Sequence, residues 1–103
     1  MKAAFGLIAM TASISAAFAD DMSKRDAFES CLGAGVEKFK DLCEPADLAA
    51  RAILFECKQQ LIALVISLPP GSDKVALAEK HRLDKTEEVL SRLLEYRLQH
   101  PCR

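Results

Sequence analysis

The chain has no tryptophan, one tyrosine, two histidines and four glycines in 103 residues. These shortages narrow the functions open to it. With five phenylalanines and Tyr96 as the whole aromatic set, anchors for a partner are few. With only His81 and His100 as candidate bases, Ser67 and Ser91 have little to activate them, and neither lies in a G-x-S-x-G elbow. His81 and Asp84 form an i, i+3 pair, but beside Lys80 and Arg82 they read as an exposed polar face. No C-x-x-C occurs, so the redox dithiol signature is missing, and C-x-x-C-H, which would attach a c-type haem, is missing too. A b-type haem held by Met22 and His100 rests on their terminal placement alone. No His and carboxylate cluster has metal-ligand spacing. Gly33-Ala-Gly35 follows no strand, which disqualifies it as a phosphate loop. The expectation is a protein that is not an enzyme, with no catalytic residue, no cofactor and no metal.

An excess of charge is also lacking. Fourteen basic residues face fifteen acidic ones, a formal net charge of −1. Nucleic acid and anionic membrane surfaces need a basic field, so neither is expected as the main partner. Beyond the N-terminus the most apolar run, residues 61–68, spans eight positions against about 20 for a membrane span.

What is present begins with an address. Lys2 supplies a positive start, residues 3–17 are apolar or small, and Ala17-Phe18-Ala19 is an A-x-A site followed by Asp20-Asp21. This predicts a secretory signal peptide over residues 1–19, bacterial in style, cleaved after Ala19, with a periplasmic or secreted destination. Losing Lys2 takes the net charge to −2. The remaining domain, residues 20–103, is a single small unit with no membrane span, and a unit this small folds with little margin. Four cysteines, Cys31, Cys43, Cys57 and Cys102, lie in the exported part and read as two disulfides.

Proline and glycine divide that domain at Pro45, at residues 68–73 and at Pro101. The pieces carry helical periodicity. Residues 23–42 place Phe28, Cys31, Leu32, Gly35, Phe39 and Leu42 on one face, and Gly33 and Gly35 make sense where another helix approaches closely. Residues 46–67 carry two stripes: Ala50, Ile53, Leu54, Cys57, Leu61 and Leu64 with Leu68, and Leu48, Ala52, Phe55, Ile62 and Ile66. Two opposed stripes predict a central helix covered on both sides. Residues 73–98 concentrate their apolar residues late, at Leu83, Leu90, Leu93, Leu94 and Leu98. The fold expected is all-α: a small antiparallel three-helix bundle, or four helices if the third breaks near Arg82, where Asp84-Lys-Thr-Glu87 resembles a capping box.

The cysteine pairing follows from this arrangement. A tight turn at residues 41–45 makes facing residues of the first two helices sum to about 88, as Cys31 and Cys57 do, with Gly35 opposite Ile53 on the same rungs. The third helix returns its C-terminal end toward the first turn, bringing Cys102 to Cys43. The other connectivities would join cysteines nearly 20 Å apart, against a Cα–Cα limit of about 7 Å. Cys31–Cys57 and Cys43–Cys102 are the expected staples.

In size, address and helical content the chain is similar to periplasmic immunity proteins that neutralise secreted cell-wall amidases, and to acid-stress chaperones. The resemblance covers residues 20–103 in style and carries over no motif residue. It implies a non-enzymatic protein acting through a protein surface, as immunity protein, inhibitor, chaperone or assembly factor. The partner would be another protein or a second copy in a homodimer. Phe55, Ile62 and Ile66 are the candidate partner surface if the third helix leaves them uncovered, and Tyr96 is a second candidate, against a core-edge role with its hydroxyl in water. The alternative is a helical bundle binding a small molecule, lipid or metal in a pocket.

Overall fold

Four helices build the molecule, in a computed structural model that describes residues 4–71 and 73–102, with side chains from residue 22 onward. They are α1 (Ala4–Phe39), α2 (Ala46–Glu56), α3 (Lys58–Ile66) and α4 (Lys74–Gln99), and no strand occurs among the described residues. The signal peptide expected over residues 1–19 falls outside the residues whose side chains are described.

Local chemistry sets the helix ends. Pro45 opens α2, where its fixed φ and missing N–H are tolerated. Asp73 caps α4, its carboxylate accepting from the Ala76 N–H at 3.1 Å. Between α3 and α4 the chain turns through Pro69, Pro70 and Gly71, whose φ of 96° is the left-handed conformation glycine adopts without strain.

The core is continuous. Phe28 and Leu32 of α1 meet Ala49, Ala50, Ile53 and Leu54 of α2, Leu61, Leu64 and Val65 of α3, and Val89 and Leu93 of α4. Cys31 bonds Cys57 with Cα atoms 5.8 Å apart, and Gly35 lies against Ile53. A Cβ at Gly35 would sit 2.6 Å from Ile53 Cγ2, so the two helices close to this distance only because that side chain is absent. Cys43 bonds Cys102, Cα atoms 5.7 Å apart, as the returning chain requires. Arg97 fastens the same end, donating to the carbonyls of Leu42 and Glu44.

Several expectations are corrected. The middle segment is two helices rather than one, because Cys57 takes φ −95° and ψ 13° and divides α2 from α3. The third segment runs unbroken through Arg82, so a fourth helix does not start there. The Thr86 hydroxyl donates back to the Arg82 carbonyl, a bond typical of a helix interior rather than a cap. The second stripe of the middle segment is not covered: Leu48, Phe55, Ile62 and Ile66 are exposed. On α4, Val89 and Leu93 fill the core while Leu83, Leu94 and Leu98 face water, and Leu42 is also exposed. Gly33 has open space where a Cβ would be, so no close approach explains it.

Candidate functional site

The uncovered stripe forms one wall of a groove of about 660 Å³, and the opposite wall is the first half of α4. Leu54, Leu61 and Val65, from the edge of the core stripe, make its floor. Phe55, Ile62 and Ile66 rise from α2 and α3 on one side, and Val75 and Ala78 from α4 on the other. Phe55 is 75% exposed and Ile66 64%, so the groove is an open trough and not a closed cavity. The turn at Gly71 splays the two walls, and Lys74 braces them by donating from Nζ to the Ile66 carbonyl at 3.1 Å. A cation at that position also complements the C-terminal dipole of α3.

The rim is charged in one sense. Arg51, Lys58, Lys74 and Arg82 border the groove, with Glu79 as its one carboxylate among the described residues. Arg82 pairs with Glu79 one turn earlier, and that hydrogen bond holds the Glu79 carboxyl below its usual range and the guanidinium above its own. Arg51 and Lys58 make no ion pair among the described residues. A chain that is slightly acidic overall thus concentrates cations around this apolar depression.

Tyr96 lies elsewhere. It sits beside the Cys43–Cys102 bridge in a cleft with Lys40, Asp41, Arg97 and His100. Its hydroxyl donates to Asp41 Oδ1 and does not simply face water; that bond raises the tyrosine pKa above its usual value. The His100 ring stacks on it, centroids 4.3 Å apart at an interplanar angle of 12°, and Lys40 Nζ lies 5.0 Å from its ring centroid. The bonds of Tyr96 and Arg97 tie the end of α4 to the turn after α1. The four candidate surface residues therefore divide: Phe55, Ile62 and Ile66 share the groove, and Tyr96 belongs to the disulfide-linked end.

The remaining candidates stay apart. All four cysteines are in disulfides. No group of three His, Cys, Asp or Glu side chains could hold a metal ion among the described residues. His81 borders a small cleft with Phe28, Leu64 and Lys85, and Lys85 bridges Glu29 at 2.6 Å and Glu88 at 2.8 Å. No helix among the described residues is long and apolar enough to cross a membrane.

The rim cations were legible only in part. Arg51 and Lys58 each precede an outer-stripe residue, Phe55 and Ile62, by one turn, so their place beside that stripe follows from spacing. That Lys74 and Arg82 would stand opposite them depends on how α4 packs. No family model matches this chain, and no curated protein or solved structure is similar to it.

Proposed function

We propose that this is a non-enzymatic protein of the periplasm or the medium, exported by a leader cleaved after Ala19. It acts by docking a protein partner, another protein or a second copy, in the groove between α2–α3 and α4. In this reading the helices form an antiparallel bundle with α2 and α3 as its central element. The observation that carries the proposal is the outer face of α2–α3, where Phe55 and Ile66 stand largely in water beside a core in which Ile53, Val89 and Leu93 are sealed. Burying one such side chain stabilises by about 1.5–3 kcal/mol, so a row left exposed is a reserve of binding energy. Immunity proteins, inhibitors, chaperones and assembly factors all work through such a surface.

A small-molecule or lipid ligand is the second reading, because about 660 Å³ falls within the usual range of ligand sites. An open trough would leave one side of such a ligand in water, which favours a protein over it. The test is affinity capture with the oxidised protein. One protein should be retained near one-to-one, lost with Phe55→Ser and Ile66→Ser and kept with Tyr96→Phe. Retention that ignores both groove substitutions would refute the reading.

A further inference from the structure

Among the described residues the groove is matched by a second row of exposed apolar side chains, on α4, that has the complementary charge. On the second half of α4, Leu83, Glu87, Leu94 and Leu98 follow one another at spacings of four, seven and four. At about 100° per residue they fall within roughly 60° of the helix circumference, one narrow face. Leu83, Leu94 and Leu98 are all exposed, Leu98 at 82%. Asp84 and Glu95 run along one side of this face and Glu87 lies within it; none of the three carboxylates has an ion-pair partner among the described residues. Of the nearby cations, Lys85 is engaged with Glu29 and Glu88, Arg92 with Glu88 and Arg97 with backbone carbonyls. Lys80 is the one that stands unpaired beside this face among the described residues, so three carboxylates face one open cation. The second half of α4 thus offers an apolar helix face carrying free carboxylates. The middle of the chain offers an apolar groove whose rim holds the unpaired cations Arg51 and Lys58.

The geometry points to a second copy of this chain as the occupant of the groove, seated through the outer face of its α4. Leu83, Leu94 and Leu98 of one copy fill the trough between Phe55, Ile62 and Val75 of the other, and Asp84, Glu87 and Glu95 meet Arg51 and Lys58. This is helix-in-groove recognition, in which residues at helical spacing anchor the contact. It accounts for both uncovered apolar faces at once. Groove-to-groove pairing is disfavoured, since it would oppose two rims of the same sign. Two such contacts around a two-fold axis close a dimer; one contact repeated without closure builds a chain. The inference rests on reading the groove as a protein-docking surface.

Sedimentation velocity of the oxidised protein between about 1 and 200 µM tests it, a span covering weak association of about 5–8 kcal/mol. Self-association should appear and weaken as salt rises, because the contact charges lie at the surface. Arg51→Glu with Lys58→Glu should weaken it about tenfold or more, and so should Glu87→Lys with Glu95→Lys. Mixing the two charge-reversed proteins should restore association, since each groove then meets a face of opposite sign. All four positions are exposed; should a reversed variant lose its helicity, Arg51→Gln with Lys58→Gln gives the same direction with a smaller loss. A wild-type protein monomeric throughout, association indifferent to either reversal, or a mixture that fails to recover would overturn the inference. If the protein is monomeric while partner capture is still abolished by Phe55→Ser, only the second copy is excluded and the groove reading stands. If capture ignores the groove, that reading falls as well.

Discussion

Two faces of α2–α3 are equally apolar in sequence and opposite in fate. Ala50, Ile53, Leu54, Cys57, Leu61 and Leu64 are at most 6% exposed, while Leu48, Phe55, Ile62 and Ile66 range from 38% to 75%. Helical periodicity cannot separate them, because each repeats at three and four residues. What separates them is where the disulfide and the glycine lie. Cys57 and the contact made by Gly35 belong to the first face, so α1 covers it, and α4 adds Val89 and Leu93 to that same core and leaves the second face open. One face holds the fold together and the other stands in water.

That division can be broken most forcefully at the staples. Their sequence separations are 26 and 59, which in a chain-entropy account stabilise by about 3.6 and 4.3 kcal/mol, less where the loops overlap. Reduction should therefore unfold or loosen the domain in circular dichroism; unchanged helicity and melting temperature would show that the core face holds without them.

A paired substitution on neighbouring residues comes next. Ile53→Ala, in the core, should cost about 2–5 kcal/mol in urea denaturation. Phe55→Ser, two positions on, should stay within about 0.5 kcal/mol of wild type while abolishing partner capture. Equal losses would mean the outer face is structural after all.

The glycines sharpen the same contrast. Gly35→Ala places a methyl group 2.6 Å from Ile53 Cγ2, with Ile53 Cβ close behind it at 3.2 Å, and should destabilise by about 1–3 kcal/mol. Gly33→Ala meets nothing within 4 Å and should stabilise α1 by about 0.5–1 kcal/mol. Opposite signs from two glycines two residues apart would locate the α1–α2 contact.

The smallest effect is electrostatic. Hydrogen bonds that Lys85 donates to Glu29 and then to Glu88 raise its pKa, so its contribution is full below its ordinary value of 10.5 and is lost as pH rises through the raised value. Glu88 is held low, chiefly by Lys85, so its contribution is present above 4.5 and lost as pH falls through the lowered value. Both groups are half-buried and still reached by water, so Lys85→Met should lower stability by about 0.5–1 kcal/mol at neutral pH and flatten the pH profile of melting at both extremes.

Much of this fold can be read from the residues. Prolines at 45, 69 and 70 bound the segments, and the sum near 88 that pairs Cys31 with Cys57 also places Gly35 on Ile53. The break at Cys57 cannot be read, because no glycine or proline marks it; one residue's ψ divides a segment of uniform helical pattern. Nor can the choice of Val89 over Leu83 or Leu98 as a core residue, since it depends on the rotation of α4 about its own axis, which long-range contacts set. The groove was legible as a stripe and not as a site. Its apolar wall lies in residues 55–66, but its charged rim exists only after α4 brings Lys74 and Arg82 alongside.

The central claim is that α2–α3 folds with one face and binds with the other. Site-specific photocrosslinking in the producing cell tests it most directly, with the probe at Ile62 on the groove wall and, for comparison, at Gln59, exposed on the same helix but outside the groove. The account predicts a discrete adduct from position 62 and none from position 59. No adduct from 62, or the same adducts from both, would contradict it.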